Sequence, residues 1–125
     1  MNAAHEPATT TGPVRRFVTP GYVPQAATLG ELRDKIDALD AQIVKLLAQR
    51  ALCVRDATRF KLDTRQVSAA QRQAAVFARV RALAAPHEPD FPGLPDIVEA
   101  TYRTLVAGCI AGEERFFHET ERIPT

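Results

Sequence analysis

The 125-residue sequence has no tryptophan, one methionine and only two cysteines. Cys53 and Cys109 lie far apart, and no CxxC or Cys/His spacing accompanies them, so neither a disulfide framework nor a metal site is indicated; reduced thiols packed inside helices are expected. Aromatic residues make up 6% of the chain, with no basic and aromatic platform on which nucleobases would stack. Charge is nearly balanced, 16 basic against 15 acidic side chains. No global charge argument for nucleic acid or an acidic membrane follows, and any anion site has to be built from a few placed cations. No apolar run is long enough to span a bilayer, and no charged region followed by an apolar run opens the chain, so a cytoplasmic location is expected. Repeats, alternating strand patterns and a glycine-rich phosphate loop are also missing.

What is present is a helical pattern. A chain of this length builds one core, and its 46% hydrophobic and 25% charged residues are ordinary for a soluble protein. From Leu29 to Lys61 there is no proline, and apolar residues recur at Leu29, Leu32, Ile36, Leu39, Ile43 and Leu46, the three-and-four alternation of one helix face. The next members of the series are Arg50, Cys53, Ala57 and Phe60, so a cation occupies an apolar slot. Such a helix would be about 50 Å long, against roughly 35 Å for the diameter of a compact chain of this size. One end should project, and its stripe needs a partner, most simply a second copy related by a two-fold axis.

The flanking segments follow the same logic. Residues 1–27 carry Pro7, Pro13, Pro20, Pro24 and a threonine run and are expected to be extended or disordered, with Phe17, Val18, Tyr22 and Val23 available to dock on the body. Thr28 is placed to cap the first helix. Leu62–Ser68 reads as a polar connector with Ser68 as the cap of a second helix, Ala69 to Ala85, whose apolar face is Val76, Phe77, Val80 and Leu83. A third helix is expected from Pro95 or Asp96 to Thr120, since proline suits a first turn. Its face contains Tyr102, Val106, Cys109 and Ile110, and Glu113 falls within the same arc. The expected architecture is all-α, three helices in the order long, short, long, over residues 28–120, with 121–125 as a tail.

Three polar residues stand where apolar ones belong. Arg50 and Lys61 are eleven residues apart, which on a continuous helix leaves them within about 20° of each other. Lys61, near a helix end, would also be satisfied by reaching water. Arg50, mid-stripe, requires a carboxylate from the protein or an anionic ligand. Glu113 is either that carboxylate or an acid kept protonated by its apolar surroundings. Together they describe a pocket for a small dianion. No nucleophile and base are paired and no histidine falls on a core face, which argues against covalent or general-base hydrolysis and favours a reaction governed by shape and electrostatics.

The stretch Leu32-Arg33-x-x-Ile36-Asp37, followed by Asp40, Arg50 and Lys61 in register, resembles the first helix of the all-helical chorismate mutases and of the isochorismate-pyruvate lyases that share their fold. The resemblance implies an intertwined homodimer with two sites lined by both chains. It also implies a small dianionic substrate and neither cofactor nor metal, nucleic acid nor membrane. By motif, Arg33 would enter the partner's site while Arg50 and Lys61 serve their own. The register agrees, because seventeen helical residues separate Arg33 from Arg50 by about 25 Å. Arg72 and Glu113 match the family's arginine and Gln/Glu positions. The activity implied is rearrangement of chorismate to prephenate, with Arg33 and Arg50 on the carboxylates and Lys61 and Glu113 on the ether oxygen. Ala69 and Gln73 depart from the mutase pattern, which has acidic residues there; the lyases lack them too, so salicylate and pyruvate formation is the alternative. A non-catalytic helical dimerisation or regulatory module remains the reading of another class.

Overall fold

The computed structural model describes residues 5–125, which form two compact units, 5–48 and 49–125. Among the described residues the only regular elements are helical, and no helix is long and apolar enough to cross a membrane.

The first unit consists of an irregular segment and most of helix α1, Leu29–Ala57. Helix α1 starts where Thr28 caps it. The Thr28 hydroxyl accepts from the Glu31 amide at 3.2 Å, and the Glu31 carboxylate accepts from the Ala27 amide at 3.2 Å, a reciprocal exchange that satisfies donors a bare helix end leaves orphaned. Leu29 and Leu32 are half-buried, but Ile36, Leu39, Ile43 and Leu46 are more than half exposed. The periodic stripe is therefore present and uncovered in the single chain. Phe17, Val18, Tyr22 and Val23 do not dock: all four are exposed, and Phe17 and Tyr22 instead contact each other as a tilted pair with centroids 4.8 Å apart.

The second unit opens on the last turns of α1. The helix stops at Ala57, earlier than its apolar periodicity implies, and a 3₁₀ turn, Thr58–Phe60, follows. Lys61 is thus not on the helix. It sits in extended backbone, φ −96° and ψ 135°, with its amide bonded to the Thr58 carbonyl at 3.1 Å. The expected connector contains a short helix α2, Thr64–Ser68. Asp63 caps it by accepting from the Gln66 amide at 3.1 Å while Gln66 accepts from the Leu62 amide at 2.7 Å, the same exchange that starts α1. Val67 of this helix is buried.

Ser68 is not an N-cap. It ends α2, and Ala69 joins α2 to helix α3, Ala70–Ala84, in the left-handed region at φ 33° and ψ 69°, with no side-chain cap. An alanine there bears a Cβ clash that glycine avoids. Replacing Ala69 with glycine should raise the free energy of unfolding by about 1 kcal/mol, read as a higher denaturant midpoint at fixed protein concentration. An unchanged or lower midpoint would show that the junction is not strained.

Helix α4, Leu94–His118, begins after Gly93, whose φ of 90° requires glycine, and has proline in its first turn. Buried Val80 and Ala84 of α3 and Val106 of α4 form the core with Val67. Ala84 takes the place anticipated for Leu83, which is 58% exposed. Arg81 of α3 bonds Asp96 at 2.8 Å and Glu99 at 3.2 Å, and Arg103 bonds Glu99 at 2.8 Å. The two Arg81 pairs link α3 to α4, the Arg103 pair lies within α4, and each adds little energy singly.

Candidate active site

The second unit holds a cleft of about 290 Å³, at the small end of the range for metabolite pockets. Five segments reach it, among them α2 through Val67 and Ser68. Arg50, Cys53 and Val54 come from the end of α1, Lys61 from the turn beyond, Arg72 and Val76 from α3, and Val106, Cys109 and Glu113 from α4. Arg50 and Lys61 converge as their spacing implied, but for a different reason. The 3₁₀ turn and the extended Lys61 backbone bring the ammonium group round, where a continued helix would have done so by phase.

Arg50 is half-buried. Its guanidinium carbon lies 5.7 Å from the centroid of the Tyr102 ring, and Nη1 lies 3.8 Å from the Cys109 sulfur. Both contacts orient the group without neutralising it. Neither Glu113 nor any other carboxylate pairs with it: among the described residues Arg50, Lys61 and Arg72 have no ion-pair partner. Three cations without ion-pair partners therefore face one cleft and give it a positive potential.

Glu113 is 6% exposed, and its Oε1 is buried without a hydrogen-bond partner. Burial pushes its carboxyl above the ordinary range, and the positive charge of Lys61 pulls it partly back. Glu113 does not pair with Arg50, and its carboxyl pKa is shifted upward by burial, the direction expected for an acid in apolar surroundings.

The floor is apolar and differs from the simple helix-face expectation. Cys53 is exposed and Cys109 half-buried, and both are free thiols; Cys53 does not pack in a core. Ala69 and Gln73 also line the cleft. The Gln73 amide donates to the Ser68 carbonyl, which ties the side chain to the α2–α3 junction. Tyr102 and Cys109 as holders of Arg50 went unnoticed in the sequence, although their spacing of seven, followed by Glu113 four residues later, marks one helix face.

The cleft is built entirely from the second unit, whereas Arg33 belongs to the first, near the start of α1. There its guanidinium pairs with the Glu6 carboxylate. A family model for chorismate mutase type II matches residues 32–114. The chain belongs to that family. No curated protein matches it. The chorismate mutase type II match contains Arg33, Arg50, Lys61, Arg72 and Glu113 and leaves out the segment that carries Glu6.

Proposed function

We propose that the protein is a chorismate mutase, rearranging chorismate to prephenate at a site completed by a second copy of the chain. The observation that carries this reading is the set of three unpaired cations, Arg50, Lys61 and Arg72, around a buried, partnerless Glu113 in a cleft of about 290 Å³. In the rearrangement one carbon–oxygen bond breaks as one carbon–carbon bond forms, and no proton is transferred. The protein therefore contributes by compressing the substrate into its reactive shape and by stabilising charge. Arg50 takes one carboxylate. Lys61 and protonated Glu113 donate to the ether oxygen, where negative charge grows as the bond lengthens.

Arg33 supplies the other carboxylate contact from the partner chain. Two features support a dimer. The register of α1 places Arg33 about 25 Å of helix from Arg50, too far for one small ligand to bridge. The exposed stripe Ile36, Leu39, Ile43 and Leu46 is what a second helix would cover. Burying it offsets the cost of leaving four large side chains in water.

Ala69 and Gln73 on the cleft wall favour a second reading, isochorismate-pyruvate lyase. Neither carries a charge to hold the ring hydroxyl that acidic residues take in mutases. Chorismate and isochorismate supplied separately, with prephenate and salicylate followed by chromatography, decide between them. Prephenate alone, or in large excess, supports the mutase. Salicylate in excess transfers the assignment to the lyase, and inactivity on both leaves a non-catalytic module.

The Glu113 role has its own signature in pH. Its donor is the protonated form, so turnover is expected to fall as pH rises through the raised carboxyl pKa. The Glu113→Gln variant, which donates at every pH, should give a flat profile over the same interval. Stability moves in the same direction. A carboxyl whose pKa is raised by folding contributes its full stabilisation below its unfolded value and loses it as pH rises through the folded value. A wild-type rate constant between pH 5 and 9 would remove Glu113 as the donor.

A further inference from the structure

The N-terminal segment returns to α1 at several points. The Thr9 carbonyl accepts from the Gly30 amide at 3.0 Å, and the Gln25 carbonyl accepts from Lys35 Nζ. The approach at Thr9 is close. A Cβ on residue 30 would stand 3.0 Å from the Thr9 oxygen and 3.6 Å from the Thr9 Cβ. Three residues before Thr9, the Glu6 carboxylate pairs with the Arg33 guanidinium. A carboxylate of the protein thus occupies the cation that, in the function proposed above, receives a carboxylate of the substrate.

We infer that residues 6–9 form a cis-acting latch on Arg33, in which Glu6 competes with the carboxylate of a dianionic substrate. The inference rests on the proposed role of Arg33 in the partner's site. Chemistry and reach both support the competition. Glu6 presents the same planar, bidentate-capable oxygen pair that Arg33 would recognise in substrate, and the Thr9–Gly30 hydrogen bond holds the segment beside its target, which raises its effective concentration. The strength is also set. The two side chains are 45% and 77% exposed, so the pair is solvated and screened. Exposed pairs close with an equilibrium constant of about 1 to 5, which leaves Arg33 open for roughly a sixth to a half of the time. Such a latch modulates and does not shut the enzyme off. Its effect falls on substrate affinity, because it acts before substrate is seated.

The test is the Michaelis constant of Glu6→Gln beside that of the wild type, on whichever of chorismate and isochorismate the wild type converts. At low ionic strength KM should fall about two- to sixfold with kcat unchanged. The difference should disappear in about 0.5 M salt, where screening dissolves the exposed pair. Gly30→Ala serves as an independent variant, since its methyl group crowds Thr9, loosening the anchor of the segment, and leaves both members of the ion pair intact. It should lower KM in the same direction without changing the sedimentation of the assembly. An active wild type with equal KM in Glu6→Gln at low salt overturns the latch and leaves the proposed function standing. A wild type inactive on both substrates overturns both, because there is then no substrate for Glu6 to exclude.

Discussion

Replacing Lys61 with alanine is expected to lower kcat by about 10²- to 10³-fold, the usual consequence of deleting one donor aimed at developing negative charge. Lys61 lines the cleft and has no carboxylate partner among the described residues, so its charge is available to the reacting oxygen. The loss should appear in kcat more than in KM, because the charge that Lys61 meets is present in the transition state and small in the ground state. The substitution should be structurally mild. Lys61 follows the 3₁₀ turn in extended backbone, and its one hydrogen bond there is made by the main-chain amide to Thr58, which alanine retains. Sedimentation and circular dichroism should match the wild type. A Lys61→Ala enzyme within a few-fold of the wild-type rate would exclude Lys61 from the chemistry. Wild-type sedimentation together with the expected rate loss would assign the defect to the site.

The second large effect is a recovery. Arg33→Ala and Lys61→Ala chains should each be nearly inactive, since one lacks a carboxylate contact and the other a donor. In a mixed dimer one site draws Lys61 from the first chain and Arg33 from the second and is intact, while the other site carries both lesions. Random exchange of equal amounts makes half the dimers mixed, each with one good site, so activity should rise to roughly a quarter of the wild-type value. Equal mixing of chains that act alone would give only the average of two poor enzymes. Failure to recover activity after exchange verified by mass spectrometry would mean that Arg33 does not complete a partner's site.

Helix α1 was legible from its start because the apolar period, the Thr28 cap and the absence of proline all agree, and α4 because Pro95 marks its first turn. Glu113 was legible as an acid in an apolar arc, and its burial and raised pKa follow from that position. The end of α1 was not. Periodicity persists through Phe60, but Thr58 begins a 3₁₀ turn, and the capping exchange between Asp63 and Gln66 starts a new helix that the composition of Leu62–Ser68 concealed. The α2–α3 junction was illegible for a different reason. A left-handed alanine contradicts local preference, and Ser68 beside it is by preference the better cap. The pairing of Glu6 with Arg33 spans 27 residues through an irregular segment, where no periodicity exists to signal it.

Arg50 rests against the face of Tyr102 and the sulfur of Cys109, partners that hold a guanidinium in place and leave its charge whole. An arriving carboxylate displaces only water there and breaks no ion pair, so almost none of its binding energy goes into reorganising the protein. In the proposed two-chain site the two carboxylate seats are then unequal: Arg50 has no ion-pair partner among the described residues, whereas Arg33 is paired with Glu6 of its own chain. A ligand with a single carboxylate should therefore settle first at Arg50, and only one long enough to offer a second can claim Arg33 as well.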